Sequence, residues 1–246
     1  IRNNPRIVIA TPARLNDLLD QRMITLREVT MLILDEADRM FDMGFWPQIR
    51  TILEQVPRER QTMLFSATMD SQIMGLAGQH MQMPVRIEVA PAGTTVENIQ
   101  QELIMVQKAD KIALLEKVLK ENDGPTLIFS RTKHGASRIA RNVRQMDITA
   151  SEIHANRSLS QRRQALDGFK NGKFRVLVAT DIAARGIHVT GIALVINFDL
   201  PNDSADYVHR IGRTARAGRK GKAISFATPD QHKEIRSIEK LIRATL

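Results

Sequence analysis

Two carboxylates stand directly after a short apolar run, where side chains of this type can do chemistry. Residues 35–38 (Asp-Glu-Ala-Asp) follow residues 31–34 (Met-Leu-Ile-Leu), which we predict to be a buried strand. The carboxyl ends of parallel strands are where α/β sheets bind ligands. One carboxylate there can hold Mg²⁺ through water, and its neighbour can take a proton from an attacking water. Acidic residues also favour the first turn of a helix, so a purely structural reason for this cluster stays open.

Hydroxyl groups and further polar side chains follow other predicted strands. Ser66 and Thr68 come after the strand at 62–65, and their hydroxyls could bridge to the acidic cluster. Residues 179–186 (Ala-Thr-Asp-Ile-Ala-Ala-Arg-Gly) follow the apolar run 176–178. A hydroxyl, a carboxylate, a guanidinium and a glycine together at the end of a strand indicate a site rather than packing.

The strongest basic signal is residues 209–216 (His-Arg-Ile-Gly-Arg-Thr-Ala-Arg). Arg210, Arg213 and Arg216 recur every three residues, which on a helical turn directs them to roughly one side. Three more cations follow before residue 223 with no acid between them. Such a cluster can clamp a phosphate, with an arginine reaching the phosphate that is transferred. A solvated basic face is the structural alternative.

The elements that must position these groups alternate between apolar runs and helix-period segments. This alternation predicts α/β architecture with parallel sheets covered by helices. Small residues with one Pro and one Gly predict a linker at 91–96, between domains at 1–90 and 97–246. The strands are predicted at 6–10, 31–34, 62–65 and 85–89 in the first domain, and at 99–106, 126–129, 149–153, 176–179, 194–197 and 223–226 in the second.

Composition narrows the class of protein. The 246 residues are 43% hydrophobic and 26% charged, which is typical of a globular chain. No apolar run approaches the roughly 18 residues of a membrane span, and the absence of cysteine excludes disulfides and thiolate metal sites. The chain opens without a signal-peptide pattern, so a cytoplasmic setting is expected. A net charge of +9 suggests a polyanionic partner, although solubility alone would also explain it.

Six short motifs, in order, resemble those of the DEAD-box family of ATP-dependent RNA helicases, most closely the bacterial members. They are residues 11–14 (Thr-Pro-Ala-Arg), 35–38, 66–68 (Ser-Ala-Thr), 127–130 (Leu-Ile-Phe-Ser), 180–186 and 209–216. The resemblance covers the whole chain and implies two RecA-like domains, the first of them incomplete. It implies an RNA-stimulated ATPase that locally unwinds or remodels RNA duplexes, with ATP and Mg²⁺ bound between the domains. RNA would be held through phosphates and 2′-hydroxyls, independently of sequence.

The resemblance also implies roles by position. Catalytic roles fall to Asp35, Glu36, Arg213 and Arg216, and Asp35 would hold Mg²⁺ largely through water. Coupling between the nucleotide and RNA sides falls to Asp38, Ser66, Thr68, His209 and Arg210. Nucleotide contacts fall to Gly186 and His188. RNA contacts fall to Thr11, Pro12, Arg14, Ser130, Arg162, Thr180, Asp181 and Arg185.

Three features depart from the family pattern. No G-x-x-x-x-G-K followed by Ser or Thr occurs in the 246 residues, and the family's adenine-reading segment and phosphate-binding loop would lie before Ile1. We therefore expect a fragment of a longer helicase, which alone hydrolyses little ATP and exposes apolar sheet surface. His188 stands where the family usually has Asp, and Leu159 where it usually has Gln.

The alternative function is an ATPase-deficient RNA-binding scaffold. The missing loop and His188 favour it, whereas the acids at 35–36 and the arginines at 213 and 216 oppose it. A Mg²⁺-dependent carboxylate hydrolase would leave the arginines unexplained. DNA as the substrate stays open on physical grounds, and the resemblance speaks for RNA. We expect a monomer that does not bind membranes, and any RNA-processing protein partners are not predicted.

Overall fold

The computed structural model describes residues 5–66, 69, 71–87, 98–184, 189–215 and 220–246. The chain divides into two compact units, Ile1–Glu88 (unit 1) and Val89–Leu246 (unit 2). The described strands of each unit form a parallel sheet with helices packed on it, so the predicted parallel α/β class is confirmed. The linker predicted at 91–96 lies outside the described residues.

The described part of unit 1 contains two parallel strands. They are β1 (Met31–Leu34) and β2 (Gln61–Leu64), with Met31 opposite Gln61 and Leu34 opposite Leu64. The helices of its described part are α1 (Pro12–Asp20), α2 (Ala37–Asp42), α3 (Trp46–Gln55) and α4 (Ser71–His80). A proline in the first turn starts both α1 and α3, because its fixed φ suits that position and its missing N–H costs no bond there.

Two of the strands predicted for unit 1 are not formed. Residues 6–10 and the described residues 85–87 are neither helix nor strand. Their apolar side chains are open to solvent, with Ile7 80% and Val85 84% exposed. A strand needs a neighbour to complete its ladder of hydrogen bonds, and no described strand pairs with these segments. Met31 and Ile33 of β1 are about half exposed.

The described part of unit 2 contains six parallel strands in the order β3-β8-β7-β4-β6-β5. The strands are β3 (Ile99–Met105), β4 (Thr126–Phe129), β5 (Ala150–Ile153), β6 (Val176–Ala179), β7 (Leu194–Asn197) and β8 (Gly221–Ala227). The helices of its described part are α5 (Lys111–Glu121), α6 (Lys133–Gln145), α7 (Leu159–Lys170), α8 (Asp181–Ala184), α9 (Ser204–Ile211) and α10 (His232–Ile242). Among the residues described, no helix is long and apolar enough to cross a membrane.

The central strands of unit 2 are buried on both faces. Leu127 of β4 belongs to one apolar cluster with Phe169 of α7, whereas Ile128 belongs to the other with Ile139 of α6. A strand covered on both faces is apolar at every position, which is why β4, β6 and β7 appear in the sequence as continuous apolar runs. Because the strands are parallel, their carboxyl ends meet at one edge, where most of the predicted site residues of this unit follow them.

Candidate functional site

The acidic cluster lies at the carboxyl end of β1. Glu36 has a left-handed backbone, with φ of +51° and ψ of +50°, which turns the chain from the strand into α2. A non-glycine residue pays about 1–3 kcal/mol for such a conformation, and strain of this kind concentrates at functional sites. Asp35 and Glu36 are both exposed. Arg39, one turn into α2, forms an ion pair with the Glu36 carboxylate.

Ser66 reaches the acidic cluster from the neighbouring strand. Pairing continues past the strand ends, because the Ala37 N–H donates to the Phe65 carbonyl oxygen at 3.0 Å. The Ser66 hydroxyl accepts a hydrogen bond from the Asp38 N–H at 3.2 Å, and Asp38 itself is buried. The structure therefore brings Asp38 and Ser66 together, as expected from their places at adjacent strand ends. Thr68 lies outside the described residues.

Asp35 fits a Mg²⁺ ion that keeps most of its water ligands. Its Oδ1 accepts a hydrogen bond from the Glu36 N–H at 3.0 Å, which fixes the carboxylate at the strand end. Mg²⁺ prefers oxygen ligands and commonly takes one or two carboxylates together with several waters. The described residues contain no group of three or more His, Cys, Asp or Glu side chains that could hold a metal. One exposed carboxylate oxygen donor is compatible with such an ion, and the Mg²⁺ role of Asp35 stays a prediction.

The first predicted RNA motif starts α1. Thr11 is the N-cap residue with an extended backbone, and its side chain makes no capping hydrogen bond. Pro12 is the first residue of the helix, and Arg14, two residues later, is exposed. Arg14 forms an ion pair with Asp17, three residues further along the same helix. The Arg14 guanidinium therefore lies at the surface of unit 1, and the Asp17 carboxylate offsets part of its charge.

A buried ion pair lies at the carboxyl edge of the unit 2 sheet. Arg210 of α9 is only 2% exposed, and its Nε and Nη2 donate to the two carboxylate oxygens of Asp181 at 2.5 and 2.8 Å. Its Nη1 donates to Asn197 Oδ1 at 3.1 Å and to the Asp199 carbonyl oxygen at 2.7 Å. The guanidinium also lies over the Phe129 ring, 5.0 Å from its centroid. Arg210 thus ties α9 to the ends of β4, β6 and β7.

Asp181 and Arg210 satisfy each other's charges within unit 2. Both Asp181 carboxylate oxygens accept hydrogen bonds from the Arg210 guanidinium, which also donates to Asn197 and Asp199 of the same unit. The pair therefore holds the segment after β6 against α9. The contact of Asp181 with RNA and the coupling role of Arg210 stay predictions.

Ser130 lies in the interior of unit 2. Its hydroxyl donates to Asp199 Oδ2 at 3.3 Å, and the Arg131 N–H donates to the same oxygen at 3.1 Å. The buried Lys111 Nζ lies 3.5 Å from Asp199 Oδ1 and donates to the Phe198 carbonyl oxygen at 2.7 Å. Burial lowers the pKa of Lys111, while the charge of Asp199 opposes this shift. The Ser130 hydroxyl therefore orders the loop after β4, and its predicted contact with RNA stays a prediction.

The other predicted residues of unit 2 lie at or near the same carboxyl edge. Thr180, His209 and Arg213 are half-buried there. A narrow crevice is lined by Phe129, Asp181, Ala184, Asp206, His209, Arg210 and Arg213. Arg162 is half-buried in α7, a helix that begins with a capping box between Ser158 and Gln161. Unit 2 therefore gathers guanidinium groups where the strands end, which suits a phosphate ligand.

Comparison with known proteins identifies the family. A DEAD/DEAH box helicase family model matches residues 1–76, and a helicase conserved C-terminal domain model matches residues 110–218. The ATP-dependent RNA helicase DbpA of Bacillus subtilis (strain 168) is 42% identical over 243 residues, which cover 98% of this chain and 51% of the relative. The chain belongs to the DEAD-box helicase family.

Solved structures agree with this assignment. S. cerevisiae Dbp5 bound to RNA and ADP BeF3 has a TM-score of 0.86 and 30% identity, covering 98% of this chain and 66% of that one. A hypothetical ATP-dependent RNA helicase from Sulfolobus tokodaii has a TM-score of 0.55 and 35% identity, covering 96% and 67%. The units of this DEAD-box chain are thus RecA-like, as the resemblance implied. The chain spans about half the length of the curated relatives that it matches.

Several residues of the DEAD-box motifs lie outside the described part of the chain. They are Thr68, Arg185, Gly186, His188 and Arg216. Sequence reasoning also missed residues that the structure places in the site. Asn197 and Asp199 were not singled out, although Asn197 stands at the carboxyl end of a buried strand and Asp199 just after it. That position was the available signal, because side chains at this edge of a parallel sheet face the ligand site.

Proposed function

We propose that this chain supplies the acids, the arginines and the RNA contacts of an RNA-stimulated ATPase that locally unwinds or remodels RNA duplexes. The observation that carries the proposal is the exposed Asp35–Glu36 pair, held at the end of β1 by a strained backbone and next to Ser66. The names of its relatives support it, since they are ATP-dependent RNA helicases. So does the Dbp5 structure, which is bound to RNA and ADP BeF3.

The proposed chemistry in unit 1 is activation of a water molecule. Glu36 accepts a proton from the water as its oxygen attacks the γ-phosphorus of ATP, and the bond between that phosphorus and the bridging oxygen of ADP breaks. Arg39 holds the Glu36 carboxylate through Oε2. Asp35 would hold Mg²⁺, which when bound offsets the negative charge of the phosphates. Asp38 and Ser66 would link this site to α2 and to the segment after β2.

The proposed contribution of unit 2 is stabilisation of charge on the transferred phosphate. Arg213 and Arg216 would reach the γ-phosphate of the same ATP, a role worth about 10³–10⁵ in rate for an arginine finger. Arg213 comes three residues after Arg210, whose four hydrogen bonds anchor the end of α9. His209 would assist at the same edge, and Gly186 and His188 would contact the nucleotide.

RNA binding is proposed to depend on the backbone, not on the bases. The chain has only one Trp and one Tyr, so few large aromatic side chains are available to stack on bases. Trp46 stacks on Phe41, with ring centroids 5.0 Å apart, and Tyr207 is fully buried. Contacts would therefore go to phosphates and 2′-hydroxyls. They would come from Thr11, Pro12, Arg14, Ser130, Arg162, Thr180, Asp181 and Arg185.

The test is ATP hydrolysis with and without single-stranded RNA. It uses the 246-residue chain and a version extended upstream with a phosphate-binding loop. We expect little hydrolysis by the shorter version, because the pattern of that loop does not occur in it. In the extended version we expect RNA-stimulated hydrolysis, reduced by about 10²–10⁴ in the Glu36→Gln variant.

Glu54→Gln is the matched control, since Glu54 is an exposed glutamate of the same unit that pairs with Arg50 in α3. It should leave the rate unchanged. Hydrolysis that is insensitive to Glu36→Gln would contradict the proposed role of that carboxylate. Binding of RNA without hydrolysis in either version would instead support the scaffold function.

A further inference from the structure

One strongly basic stretch of the chain is separate from the arginines at 210–222. Residues 131–175 contain eleven Lys and Arg against three Asp and Glu, a net charge of +8. This stretch forms α6, β5 and α7. Because β5 is an edge strand of the unit 2 sheet, the charge is collected along one outer edge of that unit. A uniformly solvated protein would spread its charge over the surface.

An open groove of about 780 Å³ runs along this edge, between α6 and α7 and beside β5. We call it the β5-edge groove. Its polar lining includes Arg144, Arg157, Lys173, Gln161, Gln164 and Asn171. Arg157 and Gln161 lie at the carboxyl end of β5, whereas Arg144, Asn171 and Lys173 lie at the amino end of the sheet. The lining also contains two carboxylates, Glu152 and Asp167, so its three cations leave a net charge of +1.

A buried carboxylate fixes two of these cations in place. Glu152 of β5 is 5% exposed and forms an ion pair with Arg157, and its Oε1 accepts from the Ser137 hydroxyl at 3.2 Å. Arg144 Nη1 lies 3.6 Å from Glu152 Oε2 and donates to the Ala150 carbonyl oxygen at 3.3 Å. One anion thus orients two guanidinium groups, and a net positive charge remains for a ligand.

The carboxylate of Glu152 is ionised at neutral pH. Burial raises its pKa, but the hydrogen bond and the charge of Arg157, together with Ser137 and Arg144, lower that pKa by more. The two arginines are therefore held by a charge and keep their orientation before any ligand arrives. Cations that are already ordered lose less conformational freedom when they bind.

We propose that the β5-edge groove is a second RNA-binding surface, which takes a phosphate backbone beyond the residues of the helicase motifs. The proposal rests on the proposed function in that RNA is the partner. Guanidinium groups pair with phosphate in a bidentate manner, and the amides of Gln164 and Asn171 suit 2′-hydroxyls. A predicted RNA contact, Arg162, is in the first turn of α7, as is the groove residue Gln161. An RNA strand held at the carboxyl edge can continue along the groove.

The test compares oligouridylates of about 6 and about 16 nucleotides, binding to the 246-residue chain over a range of salt concentration. The variant is Arg144→Gln with Lys173→Gln, which leaves Arg157 to neutralise Glu152. Each phosphate contact to a single strand contributes a slope of about −0.7, or about 2.6-fold in affinity between about 50 and 200 mM salt. The variant lacks two such contacts. Raising the salt over that range should therefore weaken its binding of the longer RNA by a factor about seven times smaller than for the wild type. For the shorter RNA this factor should be unchanged.

The charge-matched control is Arg138→Gln with Arg141→Gln, which removes two exposed cations of α6 that do not line the groove. Equal salt dependence of the groove variant and this control on the longer RNA would overturn the proposal. The proposal would also be overturned if the groove variant bound polyglutamate more weakly than the wild type but bound RNA equally well. That result would point to an acidic protein partner. Failure to bind the shorter RNA would contradict the proposed function, not the groove.

A second variant keeps every hydrogen bond of the groove. Gln164→Glu adds a carboxylate to an exposed position of α7 that lines it, and we expect about threefold weaker binding of the longer RNA or more. Gln107→Glu is the matched control, because this exposed residue follows β3 at the opposite edge of the sheet. Equal affinities of these two variants would also overturn the proposal.

Discussion

Removal of the Arg210 guanidinium should destabilise unit 2 strongly. Arg210→Met deletes four hydrogen bonds, two of them to the Asp181 carboxylate, from a side chain that is 2% exposed. Breaking a buried ion pair from one side costs about 3–5 kcal/mol, because the remaining charge loses its partner. The Asp181 side chain keeps 23% of its surface in contact with water, which favours the lower end of that range. We expect the free energy of unfolding of unit 2 to fall by about 3 kcal/mol.

The chain carries a separate optical probe in each unit for this measurement. Its single Trp, Trp46, is in α3 of unit 1, and its single Tyr, Tyr207, is buried in α9 beside Arg210. With a urea slope of about 2 kcal/mol per M, the midpoint of the tyrosine absorbance transition should fall by about 1.5 M. The Trp46 fluorescence transition should not move. An unchanged tyrosine midpoint, or an equal shift at Trp46, would refute this reasoning.

A double-mutant cycle separates the ion pair from the rest of the cluster. Asp181→Leu combined with Arg210→Met removes both charges, so the double variant should be more stable than Arg210→Met alone. A double variant whose loss equals the sum of the two single losses would show that Asp181 and Arg210 do not interact.

Three further predictions concern other parts of the chain. Burial lowers the pKa of the His154 imidazole in the folded chain. Below about pH 6.5 the unfolded chain therefore binds a proton that the folded chain does not, and the free energy of unfolding decreases as the pH decreases. The melting temperature of unit 2 should therefore drop less between pH 7.5 and 5.5 in His154→Gln than in the wild type, by calorimetry. Ile33→Thr should reduce self-association measured by light scattering and change the free energy of unfolding by no more than about 0.5 kcal/mol, because Ile33 is 52% exposed; unchanged scattering would contradict this. Asp35→Asn in the extended version should lower Mg²⁺-dependent ATP hydrolysis by about a hundredfold or more, and an unchanged rate would remove Asp35 from the site.

The strands of unit 2 could be predicted because of how they are buried. β4, β6 and β7 lie between two layers of helices, so nearly every residue in them is apolar and the runs stand out in the sequence. Residues 6–10 show the same kind of run, yet they form no strand. The apolar pattern records a preference for burial, and it cannot report whether a neighbouring strand is there to complete the ladder.

The site could be predicted as a set of positions, but not as a set of contacts. The ends of parallel strands predicted the positions of Asp38 and Ser66 in unit 1 and of Asp181 in unit 2, and the structure pairs Ser66 with the Asp38 backbone. The pairing of Asp181 with Arg210 was not predicted, since the two are 29 residues apart and their charges suggested two separate ligands. Which neighbour a charged side chain pairs with depends on its distances to the surrounding groups, and the fold sets those distances.

The most direct test of the central claim is ATP-driven separation of a short RNA duplex by the version extended with a phosphate-binding loop. The claim is that arginines of unit 2 act on the ATP that the acids of unit 1 hydrolyse. We predict that the wild type separates the duplex. The control variant Arg236→Ala, which removes an exposed arginine of α10 outside the motifs, should separate it too. Arg213→Ala should bind the duplex with similar affinity and fail to separate it. Strand separation by Arg213→Ala at the wild-type rate would contradict the account.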